Sequence, residues 1–180
     1  MLKDIILINF KHVFFKNNLN INITDKSLES LFFTSITLYD RDYDSDVLCV
    51  DKLTDNELSI DGIFQFCIRD LLLRWTNVAE ILQDNFYNDN DKEAIYEFVK
   101  HIIYSIPSKI NELNIYKSGK GYKFIDKEGR NLADFISYNS GEIASEIMFL
   151  GPATINFCDS CDRQTMMFLK NIFNDRIRFY

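Results

Sequence analysis

Asp40-Arg41-Asp42-Tyr43-Asp44-Ser45-Asp46 sets four carboxylates at alternate positions, the densest chemistry in this sequence. A calcium loop spaces its ligands this way, and Asp51 falls where such a loop places its twelfth residue. Ser45, however, stands where the sharp turn wants Gly, Asp51 is shorter than a bidentate Glu, and the preceding segment reads as a strand, so the calcium reading is weak. An electrostatic role remains. From Asp40 to Asp61 the acids Asp40, Asp42, Asp44, Asp46, Asp51, Asp55, Glu57 and Asp61 face only Arg41 and Lys52, a local charge of −6 out of −7 for the chain. Crowded like charges repel one another, which costs stability unless a cation or a basic partner meets them. The expectation is a partner-binding surface formed by Asp40, Asp42, Asp44, Asp46, Asp51 and Asp55. There the field speeds association and selects the partner. A second acidic stretch, Glu80 to Glu93, adds Glu80, Asp84, Asp89, Asp91 and Glu93 against Lys92.

Cys158-Asp159-Ser160-Cys161 follows an apolar segment and precedes a helical one, the setting that lowers a thiol pKa in redox pairs. Only 19 residues follow Cys161, too few to complete a redox βαβ fold after the motif. A zinc site would need two more ligands, and Cys49, Cys67, His12 and His101 are not in paired spacing. The expected role of Cys161 is packing, with Asp159 or Ser160 capping the helix that follows. Glu97 and His101 lie at i and i+4, the spacing of an ordinary surface pair on a helix. Tyr116, Lys117, Lys120, Tyr122 and Lys123 interleave rings and cations as base-stacking surfaces do. A solvated hairpin with half-buried tyrosines needs no such role, and Ser118-Gly119-Lys120-Gly121 lacks the order of a Walker loop.

Composition narrows the classes further. With 47% hydrophobic and 14% aromatic residues in 180, the chain buries ample apolar surface and is not disordered. One domain spanning 1–180 is expected, folding without a disulfide or metal. The net charge of −7 opposes a general nucleic-acid binder. The first ten residues, with Asp4 after Lys3 and a short aliphatic run, do not read as a signal peptide, and no stretch reaches the roughly 18 apolar residues of a spanning helix. The expected location is the cytoplasm. No cofactor is implied and no catalytic constellation stands out. The reading that remains is a non-enzymatic acidic inhibitor, a toxin-immunity or antitoxin-like protein that neutralises a basic partner such as a nuclease toxin. Its alternatives are a phage- or virus-encoded inhibitor of a host protein, or a redox or metal protein built on Cys158 and Cys161.

The elements expected to position these residues begin with strands. Ile6, Ile8 and Phe10 alternate, as do Leu19, Ile21 and Ile23, then Phe32, Thr34, Ile36 and Leu38, with Val47–Val50 as a fourth strand after a polar loop at Asp40–Asp46. Thr54-Asp55-Asn56-Glu57 matches a capping box. Beyond Gly62, Phe64, Ile68, Leu71, Trp75, Val78, Leu82 and Phe86 recur at helical spacing, and another helix runs from Asn90 to Pro107. A hairpin spans 114–126, helix resumes at 132–150 in two pieces, and a strand at 153–157, a helix at 161–173 and a short strand complete the chain. The expected fold is α+β: N-terminal antiparallel strands followed by a mainly helical half with one further hairpin.

Overall fold

The computed structural model describes residues 2–47, 60–86, 92–119, 121–135 and 139–180. Its order reverses the expected one. The helices α1 (Leu2–Asn18), α2 (Lys26–Leu38), α3 (Arg41–Val47), α4 (Ile60–Phe86) and α5 (Lys92–Ser105) come first. The strands β1 (Ile110–Ser118), β2 (Gly121–Asp126), β3 (Asn131–Phe135), β4 (Pro152–Phe157) and β5 (Ile177–Phe179) follow, with α6 (Ser140–Leu150) and α7 (Arg163–Phe173) interleaved. The class is α+β, but among the described residues there are no N-terminal antiparallel strands.

The reason lies in which residues are buried. In α1 the stripe Leu7, Lys11, Phe15 sits at i, i+4 and i+8, and all three side chains are buried. A lysine in the middle position hides the helical period from any hydropathy count. In α2 every residue from Leu31 to Leu38 is buried, Thr34, Ser35 and Thr37 included, so the segment has no polar face to reveal its period. Its hydroxyls are satisfied locally or across the fold: the Ser35 Oγ donates to the Leu31 carbonyl at 2.8 Å and the Thr34 Oγ1 to the Ser145 Oγ at 3.0 Å. The helix starts at Asp25, whose Oδ1 accepts from the amides of Ser27 and Leu28 at 3.1 and 3.3 Å. Asp40–Asp46 is not a loop either: from Arg41 onward it is the helix α3, and Val47 closes that helix instead of opening a strand. Residues 48–50 and the capping box at 54–57 lie outside the described residues.

The chain divides into two compact units. The first holds Met1–Asn22 and Ile36–Asn90, the second Ile23–Ser35 and Asp91–Tyr180. In the first, α4 follows the expected spacing and buries Ile68, Leu71, Trp75, Ala79 and Leu82. In the second, a five-stranded sheet has the order β3-β2-β1-β4-β5, with β3, β2 and β1 antiparallel and β1, β4 and β5 parallel. The expected hairpin is β1 and β2, closing at Ser118 opposite Gly121. The segment 131–135, expected as the first piece of a helix, is instead the edge strand β3. Its five residues carry no periodicity of their own and take their conformation from the ladder that β2 offers. Leu113, Ile115, Phe124, Ile155 and Phe157 line one face of this sheet and are fully buried, as are Val99, Ile143, Ile147, Leu169 and Ile172 of the helices. Among the described residues no helix is long and apolar enough to cross a membrane.

One close approach in the second unit gives a test of packing. Asn139 caps α6: its Oδ1 accepts from the Gly141 amide and from the Ser27 hydroxyl, both at 2.8 Å. A Cβ added to Gly141 would lie 2.3 Å from the Ser27 carbonyl oxygen and 2.5 Å from its Cα, both backbone atoms that cannot turn aside. Alanine is the better helix former by about 1 kcal/mol, but the clash costs about 1–3 kcal/mol. Gly141→Ala should therefore lower the melting temperature. A melt that is unchanged or raised would show that α2 and α6 part easily at this contact.

Candidate functional site

The acidic segment does not present its carboxylates as a set. Successive Asp residues two apart on a helix point about 200° from one another, so Asp42, Asp44 and Asp46 of α3 cannot converge on one ion. Asp42 and Asp46 are exposed, and Asp40 is half-buried. Asp40 stands between α2 and α3 with φ at 55°, and its carboxylate is ion-paired with Arg74 of α4. The Arg74 guanidinium in turn lies 3.9 Å from the centre of the Tyr43 ring. Asp51 and Asp55 lie outside the described residues.

Asp44 has a different role altogether. Its side chain is 1% exposed, and that of Lys11, its partner, 3%. The Lys11 Nζ donates to the Asp44 Oδ2 at 2.5 Å and also to the Tyr39 carbonyl, while the Trp75 Nε1 donates to the Asp44 Oδ1 at 3.2 Å. Burial pulls the Lys11 pKa below that of an ordinary lysine, against the charge and hydrogen bond of Asp44, which hold its proton on. This buried pair ties α1, α3 and α4 together. It holds the surface; it is not part of one.

Helix α4 also presents a face to solvent. At 100° per residue, Asp70, Leu73, Asn77, Glu80, Ile81 and Asp84 fall within one outward arc of about 100°. Leu73 and Ile81, 58% and 61% exposed, lie on this arc among carboxylates. Sequence periodicity marks this arc only as the polar side of α4. The signal that could have singled it out is the pair of aliphatic residues lying off the core stripe. The charge is divided as well. Counted over the two units, the first carries thirteen acids against seven bases, −6, and the second fourteen against thirteen, −1.

Cys158 and Cys161 are both half-buried. Cys158 follows β4, and its Sγ lies within hydrogen-bond reach of the Asn114 Oδ1 at 3.9 Å and of the Asn156 carbonyl at 3.7 Å. The cap of α7 is neither Asp159 nor Ser160 but Asp162, whose Oδ1 accepts from the Thr165 amide at 2.9 Å. Asp159 instead accepts from the Lys117 amide at 2.7 Å. Cys161 thus lies just before the α7 N-cap, outside the helix itself. Burial, with the Asp162 carboxylate adding to it, pushes the Cys161 thiol up. Cys161 should alkylate with iodoacetamide at neutral pH more slowly than a free cysteine. Replacing both cysteines with Ser should leave the fold and partner binding intact. Fast alkylation of Cys161, or a stoichiometric metal lost in the double variant, would restore the redox or metal reading. Among the described residues no group of three or more His, Cys, Asp or Glu could hold a metal ion.

The basic hairpin is split by its own pleat. Tyr122 points into the core against Phe157, with ring centres 5.4 Å apart, so it cannot stack on a base. Tyr116 remains exposed, opposite Lys123 on β2. Lys120 lies outside the described residues. Glu97 pairs with Lys100 at 2.7 Å. The His12 Nδ1 lies 3.3 Å from the Thr37 Oγ1, and burial lowers its pKa.

Set against protein-family models, curated proteins and solved structures, the chain matches none.

Proposed function

We propose that this chain is a non-enzymatic protein-binding inhibitor of the immunity or antitoxin-like kind, acting by masking a basic protein. The observation that carries this reading is the outward arc of α4 in a unit of net charge −6. Carboxylates at Asp70, Glu80 and Asp84 alternate there with the exposed aliphatic residues Leu73 and Ile81. Acids steer a basic partner and select against acidic ones, and the aliphatic residues supply area that is worth burying once contact is made. Of the acidic segment, the exposed Asp42 and Asp46 add to the same field, with the half-buried Asp40 in part. A phage- or virus-encoded inhibitor of a host protein would use the same surface, with only the source of the partner differing.

The test is co-expression with the product of the adjacent gene, since an inhibitor of a self-made toxin is usually encoded beside it. Co-elution at one to one, with loss of the partner's activity, is the expected result. Asp42→Asn with Asp46→Asn should slow association at low salt and flatten its salt dependence, while leaving dissociation nearly unchanged, because exposed charges act mainly over a Debye length of about 8–10 Å. Leu73→Asp with Ile81→Asp should speed dissociation. If both pairs of substitutions leave both rates unchanged, this surface is solubilising only.

A further inference from the structure

We propose that a groove between α1 and α4 is an anchor pocket for an arginine side chain carried by a basic protein. The pocket gives the inhibitor reading above its point of recognition and rests on that reading.

The groove measures about 410 Å3 and is lined by Phe14 and Asn18 of α1 and by Thr76, Ala79, Glu80, Gln83 and Asp84 of α4. Its walls are set before any ligand arrives. The Gln83 side chain clamps the backbone of Asn20 at two points, its Oε1 accepting from the amide at 2.8 Å and its Nε2 donating to the carbonyl at 3.1 Å. The Asn18 amide donates to the Phe14 carbonyl at 2.8 Å, and the Thr76 hydroxyl to the Leu72 carbonyl at 2.8 Å. Phe14 is held in turn by Trp75, with ring centres 5.6 Å apart.

Against these satisfied groups, two are left over. Among the described residues, Glu80 and Asp84 have neither a hydrogen bond nor an ion pair, although they lie one helical turn apart on the same lip. Like charges at i and i+4 destabilise a helix unless a cation bridges them. The groove therefore combines an aromatic and methyl-lined floor with two unmet carboxylates at its rim. That chemistry suits a long side chain with an apolar stem and a cationic end. Arginine fits better than lysine because its planar fork can reach two carboxylates at once and lie on a phenyl face. An acidic or neutral ligand would leave the repulsion at the rim unrelieved. The exposed Leu73 and Ile81 continue the surface beyond this lip, where the residues flanking the arginine would rest.

The experiment is a nuclear magnetic resonance titration of the 15N-labelled chain at low salt with N-acetyl-arginine methylamide. The neutral isostere N-acetyl-citrulline methylamide and the corresponding lysine compound serve as comparisons. Saturable shifts at the amides of Asn18, Thr76, Glu80, Gln83 and Asp84 are expected with arginine, weaker ones with lysine and none with citrulline. Glu80→Gln with Asp84→Asn, both solvent-facing changes, should weaken arginine by about tenfold. Equal response to citrulline, shifts confined to α3, or an unaltered titration of the double variant would each overturn the pocket. The two proposals fail separately. A partner complex formed equally well by the double variant removes the pocket and leaves the inhibitor. An arginine titration that behaves as expected, in a chain that forms no complex, supports the pocket and removes the inhibitor.

Discussion

Asp44→Ala should destabilise the first unit by about 3–5 kcal/mol, because it removes the counter-charge of the buried Lys11 ammonium and leaves it the neutral Tyr39 carbonyl. Both side chains are almost fully buried, and their mutual contact is 2.5 Å. The Trp75 indole N–H would lose its acceptor at the same time. The exposed neighbour Asp42 behaves differently: Asp42→Ala should stay within about 0.5 kcal/mol. Charge arithmetic on the sequence alone leads to the opposite expectation, that neutralising Asp40, Asp42, Asp44 and Asp46 together relieves repulsion and leaves stability level or slightly higher. With Asp44 in the set, the loss of the buried pair should dominate. Urea unfolding followed by Trp75 fluorescence measures the difference. A second variant removes both charges, Lys11→Met with Asp44→Leu, and should recover most of the loss, since apolar replacement of a whole buried pair is often neutral. An Asp44→Ala midpoint equal to that of Asp42→Ala would mean that Lys11 escapes to solvent and the pair is not structural.

Trp75→Ala is the other substitution expected to cost about 3–5 kcal/mol, enough to threaten folding of a marginally stable unit. The indole is 1% exposed and packs among Phe10, Phe14 and Phe15, with ring centres 5.8, 5.6 and 6.5 Å away. Removing it leaves a cavity between α1 and α4 and takes a hydrogen bond from Asp44. Trp75→Phe separates the two effects. It keeps most of the ring contact but leaves the carboxylate short of a donor, so a loss of about 1–3 kcal/mol is expected. As the single tryptophan of the chain, Trp75 also reports on itself. Its native emission should be blue-shifted and resistant to iodide quenching. The emission of fully hydrated indole would place it outside the core and undo both the helix register and the pair it supports.

These two residues also mark where sequence reasoning stops. The period of α4 was legible because Ile68, Leu71, Trp75 and Leu82 are apolar, buried and set on one stripe. Local pattern also found α5 within the expected Asn90–Pro107 helix, where Ile95, Val99 and Ile102 are buried, and the hairpin of β1 and β2 within 114–126. Gly151, in the left-handed region at φ 61°, stopped α6 where expected. Helix α1 was not legible, because its buried stripe runs through a lysine. Nor was α2, whose buried polar residues imitate a strand's alternation, nor β3, which borrows its conformation from a neighbour.

The candidate site divides along the same line. The order of residues along the chain shows by itself that negative charge is concentrated between Asp40 and Asp61 and that α4, α5 and the hairpin form, since these follow from local residue types; it placed the strands at the wrong end of the chain. Which carboxylates are exposed to solvent was decided only by tertiary structure. Asp44 is held by a cation 33 positions before it and an indole 31 positions after it, and Asp40 by an arginine 34 positions on. Glu80 and Asp84, part of the less dense acidic stretch, are left unmet among the described residues beside Phe14. Availability of a charge depends on what long-range folding brings within a few ångströms of it, and no local pattern carries that information.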